Sequence, residues 1–170
     1  MDLKDYIRDI PNFPKEGILF KDITPLWQNK VSFKESIQLL KERYKNQHID
    51  LIIAAESRGF IVGAALANAL EIGFIPVRKP GKLPYKTISA SYELEYGTDT
   101  LTMHEDAISE KQNILIIDDL LATGGTAKAM AKMVEQLKGI VVEIAFIVEL
   151  TFLNGRNKIN DYNVFSLIQY

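Results

Sequence analysis

The sequence contains no cysteine. Disulfide bonds and metal sites built on thiolates are therefore excluded, and the composition suits a reducing compartment. The longest apolar runs, Ile140–Leu150 and Leu51–Ala55, are interrupted by polar residues or far too short to span a bilayer. The first residues are charged and show no apolar signal region, so we expect a cytoplasmic protein without a membrane partner.

An excess of positive charge is also missing. Lys and Arg number 20 against 22 Asp and Glu, which gives a net charge of −2 with both signs interspersed. Proteins that bind nucleic acid usually carry a basic stripe, so we expect no nucleic-acid partner. At 170 residues and 47% apolar content the chain can bury one sizeable core, and no repeat or linker divides it. We expect a single domain over residues 1–170.

Short apolar runs alternate with segments of helical spacing along the chain. The expected strands are Leu51–Ala55, Gly73–Val77, Ser89–Glu95, Asp99–His104, Ile114–Ile117, Ile140–Leu150 and Val164–Ile168. The expected helices are Ser32–Gln47, with Ser32 as its cap, Phe60–Leu70 and Thr126–Leu137. Strands that alternate with helices predict the α/β class, with a mainly parallel sheet covered on both faces and one hairpin around Gly97.

The most informative stretch follows the strand Ile114–Ile117. Asp118 and Asp119 come at its carboxyl end, where open α/β sheets bind ligands. A small, hydroxylated turn then opens a helix, with the residues Ala122, Thr123, Gly124, Gly125 and Thr126. Glycines let the backbone approach an anion, and free N–H groups at a helix start favour a phosphate. Carboxylates accept hydrogen bonds that sugar hydroxyls donate, so the segment predicts a socket for ribose 5-phosphate. The alternative is a tight turn whose aspartates only cap the helix.

The segment Asp118–Thr126 resembles the phosphoribosyl-pyrophosphate motif of the type I phosphoribosyltransferases. Further stretches are similar to the adenine phosphoribosyltransferase family, in order along the chain: Phe13–Pro25, Glu56–Phe60, Val77–Pro84, Leu94–Gly97 and Phe165–Tyr170. The resemblance implies a type I phosphoribosyltransferase fold, with an N-terminal hood of about residues 1–30 and a flap of about residues 83–97. It implies Mg²⁺-dependent transfer of ribose 5-phosphate from phosphoribosyl pyrophosphate to N9 of adenine, giving AMP and pyrophosphate in purine salvage. It also implies a homodimer.

A second group of residues suits the pyrophosphate. Arg58 can donate to two phosphate oxygens at once. The resemblance implies that Glu56–Ser57 contacts pyrophosphate, often through a cis peptide bond. The cationic loop near Pro80 can stabilise charge on the leaving pyrophosphate, with Lys79 as its main candidate; the alternative is a solvated loop. The sequence shows no dedicated metal cage, so we expect Mg²⁺ to arrive mainly on substrate oxygens. The candidate pyrophosphate residues are Glu56, Ser57, Arg58, Arg78, Lys79 and Lys82.

The base and the reacting atoms have their own candidates. Phe20 can stack on a flat base, and by resemblance the backbones of Leu19 and Lys21 pair with the edge of adenine; the alternative is that Phe20 packs in the core. Lys21 stands where many relatives have arginine. Glu95 and Tyr96 resemble the pair at the end of the family's flap, where a carboxylate can take the N9 proton or hold a ring nitrogen; a solvated Glu95 is the alternative. The candidate catalytic residues are Glu95, Tyr96, Arg58 and Lys79.

Two other functions compete with transfer to adenine. Hypoxanthine and guanine carry a 6-oxo acceptor and call for a donor, often lysine, which Leu19–Lys21 does not obviously supply. A regulator that senses phosphoribosyl pyrophosphate and binds nucleic acid calls for an appended helix-turn-helix or a basic stripe, and the sequence shows neither. Transfer to adenine is the leading hypothesis.

Overall fold

The computed structural model describes residues 1–13, 15–93 and 97–170. The strands are β1 (Arg8–Pro11), β2 (Leu19–Asp22), β3 (Leu51–Ala55), β4 (Gly73–Val77), β5 (Thr87–Glu93), β6 (Thr98–His104), β7 (Asn113–Leu121), β8 (Ile140–Glu149) and β9 (Val164–Gln169). The helices are α1 (Thr24–Gln28), α2 (Lys30–Tyr44), α3 (Arg58–Leu70) and α4 (Gly125–Gln136). Short 3₁₀ turns cover Leu3–Tyr6, Thr151–Leu153 and Gly155–Ile159.

Five strands form one parallel sheet in the order β4-β3-β7-β8-β9. From β3 the chain crosses through α3 to β4 on one side, and from β7 it crosses through α4 to β8 on the other. The strand order therefore reverses between β3 and β7. In open α/β sheets such a reversal leaves a crevice at the carboxyl ends of the two strands, where ligands bind.

The sheet is buried on both faces because its strands carry apolar residues at successive positions. Ile52, Ala54, Leu115 and Ile117 pack in one core with α2 and α3. Their neighbours Ile53, Ala55, Ile114 and Ile116 pack in the other core with α4 and the β5–β6 pair. Alternate side chains of a strand point to opposite faces, so a continuous apolar run fills both cores at once. The predicted α/β class with a mainly parallel, doubly covered sheet is confirmed.

The predicted cap of α2 was wrong. Asn29, not Ser32, caps the helix, since its side-chain oxygen accepts from the N–H groups of Val31 and Ser32. The Ser32 hydroxyl instead donates to the buried carbonyl of Leu26 at 2.8 Å, which ties α2 to α1. A hydroxyl can be buried in the core when it donates to a main-chain carbonyl. The polarity of Ser32 was therefore not a sign of the helix start, and the prediction placed that start too late.

Two antiparallel pairs lie outside the main sheet. The pair β1–β2 was not predicted as strands, and it falls within the segment expected to be the hood. The pair β5–β6 agrees with the predicted hairpin, although part of the expected strand Ser89–Glu95 lies outside the described residues. Hood and flap remain predictions as functional units. Across the described ranges of the chain, no helix has the length and apolar character needed to cross a bilayer.

Candidate active site

A cleft of about 410 Å³ opens where the strand order reverses. Loops after β3, β4 and β7 form most of its wall, and the β5–β6 pair forms the rest. Its lining residues include carboxylates, cations and small residues together: Ala55, Glu56, Ser57, Arg58, Gly59, Lys79, Tyr92, Leu101, Asp118, Asp119, Leu120, Ala122 and Thr126. Charges of both signs facing one cleft suit a ligand that carries both hydroxyls and phosphates.

Asp118 and Asp119 form an acidic pair in this cleft. Burial, and next the charge of Asp119, raise the pKa of Asp118 well above its usual range. Burial also raises the pKa of Asp119, although the guanidinium of Arg58, whose Nε lies 2.8 Å from Asp119 Oδ2, opposes the shift. Asp118 Oδ1 accepts from the N–H of Asp119 at 2.9 Å. A Cβ at Gly59 would lie only 2.7 Å from Asp118 Oδ1. The absence of a side chain at Gly59 therefore makes room for the Asp118 carboxylate.

The turn after Asp119 leads directly into α4. Gly124 has φ +82°, a left-handed conformation that glycine adopts without strain, and α4 begins at Gly125. The residues Ala122–Thr126 line a smaller cavity of about 100 Å³, which Asp118 also lines. The first N–H groups of a helix lack intrahelical partners, and the helix dipole is positive at this end. The smaller cavity is therefore suited to bind a compact anion.

A segment without a recognisable motif supports the turn from behind. Gly155 packs so closely that a Cβ there would lie 2.3 Å from the carbonyl oxygen of Ala122, and a Cβ at Gly124 would lie 2.5 Å from the Gly155 carbonyl oxygen. The neighbouring Arg156 is fixed by Glu149, with Nε–Oε1 at 2.6 Å and Nη2–Oε2 at 2.7 Å. This ion pair holds the 3₁₀ turn Gly155–Ile159 in place. Through Gly155, that 3₁₀ turn packs against the residues Ala122–Thr126, which we call the anion turn.

The candidate pyrophosphate residues Glu56, Ser57, Arg58, Arg78, Lys79 and Lys82 form what we call the cationic wall of the site. The peptide bond Glu56–Ser57 is cis. Glu56 accepts from the N–H of Lys79 at 2.6 Å and from Arg78 Nη2 at 3.3 Å; the Lys79 N–H, more than the other contacts, lowers the pKa of Glu56. Arg78 and Lys82 do not line the cleft among the described residues, and Arg78 Nη1 donates to the Lys82 carbonyl at 3.4 Å. The side chain of Lys79 does line it.

The β5–β6 pair closes one side of the cleft. Tyr92 lines both cavities, and a Cβ at Gly125 would lie 2.8 Å from its Cδ2. Its hydroxyl donates to Asp99 at 3.3 Å and accepts from the Thr126 hydroxyl at 3.4 Å. Asp99 in turn lies 3.1 Å from Lys79 Nζ, which raises the pKa of Lys79. The hairpin is thus linked to both the anion turn and the cationic wall.

The candidate base residues lie on β2, beside this cleft. The ring of Phe20 stands 5.1 Å from that of Phe13 and 5.8 Å from the guanidinium carbon of Arg58. Leu19 is exposed, whereas the Lys21 side chain is directed to Asp9 and Tyr170. Within the described ranges β2 pairs only with β1. The main-chain N–H and C=O groups at the other edge of β2 can therefore form hydrogen bonds with a ligand.

The sequence therefore located most of the cleft but not all of it. Glu56, Ser57, Arg58, Lys79 and the turn residues lie together, whereas Glu95 and Tyr96 lie outside the described residues. The sequence placed Gly59 within the stretch Glu56–Phe60 but gave it no role, and it missed Tyr92, Asp99 and Gly155. These three act through contacts between segments that are distant in sequence.

Comparison with known proteins places this geometry in a family. A sequence model described as phosphoribosyl transferase domain matches residues 23–170. The adenine phosphoribosyltransferase of Brachyspira hyodysenteriae is 62% identical over 170 residues, covering 100% of both chains. The crystal structure of adenine phosphoribosyltransferase from Thermoanaerobacter pseudethanolicus superposes with a TM-score of 0.95 at 55% identity, covering 99% of this chain and 98% of that one.

A Saccharomyces cerevisiae adenine phosphoribosyltransferase, solved with an imino-altritol bisphosphate and adenine, superposes with a TM-score of 0.90 at 46% identity, covering 97% of this chain and 96% of that one. The similarity thus extends over nearly the whole chain, and it confirms the fold that the motifs implied. The chain belongs to the adenine phosphoribosyltransferase family.

Proposed function

We propose that the protein transfers the 5-phosphoribosyl group from phosphoribosyl pyrophosphate to N9 of adenine, releasing AMP and pyrophosphate. One observation carries the proposal: two adjoining cavities, which share Asp118, Ala122 and Thr126, combine a carboxylate pair, an anion-binding turn and a cationic wall. These are the three chemistries that a ribose diol, a 5-phosphate and a pyrophosphate require. A relative that matches over its full length in sequence and a solved structure with a matching fold are both adenine phosphoribosyltransferases.

The ribose 5-phosphate lies over the acidic pair and the turn. Its 5-phosphate enters the smaller cavity, where N–H groups of Ala122–Thr126 and the hydroxyls of Thr123 and Thr126 donate to it. Asp118 and Asp119 accept from the two ribose hydroxyls. Both carboxyl groups have raised pKa values in the free protein, so the ribose hydroxyls, which donate to the ionised forms, bind more weakly at a pH where the carboxyl groups are protonated.

The pyrophosphate lies along the other wall of the cleft. Arg58 and Lys79 are the cationic side chains that reach it, with the main chain of Glu56–Ser57 beside them. Arg78 and Lys82 support this wall, since Arg78 contacts both Glu56 and the Lys82 carbonyl. Positive charge near the leaving oxygens lowers the barrier, because negative charge grows there as the bond to C1′ breaks.

Magnesium fits this cleft as an ion that the substrate carries. Among the described residues no three His, Asp or Glu side chains cluster to ligate a metal. Of the cleft carboxylates, Asp119 is paired with Arg58 and Glu56 with the N–H of Lys79, whereas Asp118 makes no salt bridge within the described residues, although the charge of Arg58 acts on it. One or two carboxylates with substrate phosphates is a usual Mg²⁺ environment. When bound, the ion neutralises charge on the pyrophosphate.

Adenine binds between β2 and the flap. Phe20 stacks on the base, and the free edge of β2 at Leu19 and Lys21 pairs with its ring nitrogen and exocyclic amine. Glu95, next to Tyr96 in the flap, takes the N9 proton or holds the base. Both residues lie outside the described part of the chain, so this role rests on the family resemblance. Closure of the flap excludes water, which would otherwise hydrolyse the activated sugar.

One experiment separates the candidate functions. The protein is incubated with phosphoribosyl pyrophosphate, Mg²⁺ and each of adenine, hypoxanthine and guanine, and nucleotide products are separated by chromatography. AMP formed from adenine alone supports the proposal. IMP or GMP formed at a similar rate contradicts the adenine assignment, and sugar binding without consumption of any base indicates a sensor. Homodimer formation and a cytoplasmic location stay predictions; light scattering of the purified protein tests the first.

A further inference from the structure

Tyr170, the residue after β9, connects the main sheet with the β1–β2 pair. Its main chain is fixed by the sheet, since its N–H donates to the Glu149 carbonyl at 3.0 Å and its carbonyl accepts from the Thr151 N–H at 2.9 Å. Its ring faces β2, where Lys21 Nζ lies 3.9 Å from the ring centroid. One residue is therefore held by the sheet and contacts the strand that we assign to adenine.

The contact encloses the ammonium group of Lys21. Only 10% of the Lys21 side chain is exposed, and its Nζ donates to Asp9 Oδ1 at 2.5 Å. Asp9 is the cross-strand partner of Lys21 on β1. A charge removed from water needs compensation on all sides, and here the carboxylate supplies one side and the ring face another.

Tyr170 can orient the base subsite through the alternation of β2. Successive side chains of a strand point to opposite faces. Lys21 faces Tyr170 and Asp9, whereas Phe20 lies 5.8 Å from the guanidinium of Arg58 at the cleft. Fixing Lys21 on one face of β2 therefore fixes the ring of Phe20 on the other face, together with the main-chain groups of the strand.

We propose that Tyr170 is a positioning residue for the base: its ring clamps Lys21 and thereby sets the position of β2 over the cleft. This inference rests on the proposed function, in which Leu19–Lys21 bind adenine. Within the described ranges, no hydrogen bond or ring contact of Tyr170 involves Arg58 or Lys79. Its removal should consequently affect the base and spare the activated sugar.

The first test compares Tyr170→Leu with Tyr170→Phe. For Tyr170→Leu we expect the KM for adenine to rise about fivefold, as loss of one cation–π contact implies, with the KM for phosphoribosyl pyrophosphate unchanged. Tyr170→Phe should keep the wild-type values because the ring face, not the hydroxyl, contacts Lys21. An unchanged KM for adenine in Tyr170→Leu, or equal rises for both substrates, overturns the inference.

A second variant tests the clamp from the other side. Lys21→Met removes the ammonium group and should also raise the KM for adenine, so Tyr170→Leu should add nothing in that background. Additive effects would show that Tyr170 does not act through Lys21. Melting temperatures check folding, and Lys21→Met still tests the clamp if Tyr170→Leu does not fold. Wild-type protein that makes no AMP overturns the proposed function itself, whereas active wild type with an insensitive Tyr170→Leu overturns only this inference.

Discussion

Replacing Asp118 and Asp119 together by asparagine tests the ribose assignment most directly. Asparagine has the same shape as aspartate, and its oxygen can still accept the N–H bond that now joins residue 119 to Asp118 at 2.9 Å. The asparagine at position 118 therefore fits in the narrow space beside Gly59, and the double variant should fold. What disappears is the negative charge that strengthens the hydrogen bonds from the ribose hydroxyls.

The size of the effect follows from the two hydrogen bonds involved. A hydrogen bond to a charged group contributes about 1.5–3 kcal/mol and a neutral one about 0.5–1.5 kcal/mol, so each carboxylate loses about 1–1.5 kcal/mol. For the pair this is about 2–3 kcal/mol, or an affinity about 30- to 150-fold weaker. Isothermal titration with phosphoribosyl pyrophosphate and Mg²⁺ measures it. Unchanged affinity in a folded double variant would refute the diol assignment.

The same pair predicts a pH dependence. Because both pKa values are raised, the carboxylates take up protons at higher pH than ordinary aspartates, and affinity for the sugar should fall on acidification in that range. In the ligand-free protein the native state binds these protons more tightly than the unfolded chain, so stability should decrease as the pH rises through the raised values. The double asparagine variant should lack both trends, measured by titration and by thermal unfolding.

Three other substitutions test the remaining parts of the cleft. Glu95→Gln should lower kcat at least about 100-fold, the usual contribution of a general base, and change the KM for adenine much less. Asp99→Asn should release Lys79 from its partner at 3.1 Å and tighten pyrophosphate binding, by no more than about fivefold because an exposed ion pair is weak. Gly155→Ala should raise the KM for phosphoribosyl pyrophosphate at least about tenfold, since its Cβ would lie 2.3 Å from the Ala122 carbonyl oxygen and displace the turn.

Each of these has a clear contrary result. Equal losses in kcat and adenine affinity for Glu95→Gln would indicate binding without proton transfer. Weaker pyrophosphate binding by Asp99→Asn would show that Asp99 orders Lys79 for the ligand instead of competing with it. For Gly155→Ala the matched control is Gly73→Ala, whose Cβ would meet only the end of the flexible Leu51 side chain, far from the turn. Similar kinetics in both alanine variants would remove the supporting role of Gly155.

The apolar pattern was sufficient to predict the fold class. Strands such as Leu51–Ala55 are apolar at every position because both faces of a parallel sheet are covered, and this makes them recognisable without any alignment. The pair β1–β2 was not predicted because Leu19–Asp22 and Arg8–Pro11 are only four residues long and mixed in polarity, so neither shows an apolar pattern. The start of α2 was misplaced because Ser32 does not cap the helix: it is buried and donates to the carbonyl of Leu26. The sequence gives no local sign of this contact between two helices.

The sequence by itself determined the local parts of the candidate site: Asp118–Thr126, Glu56–Arg58 and Lys79 are contiguous motifs whose backbone conformation depends on neighbouring residues. Only the tertiary structure decided which distant residues hold these parts in place. Gly155 supports the Ala122 carbonyl, Tyr92 packs on Gly125, and Asp99 pairs with Lys79. Such contacts form where segments far apart in the chain meet at the reversal of strand order, so their geometry depends on the packing of the whole sheet and has no local signature.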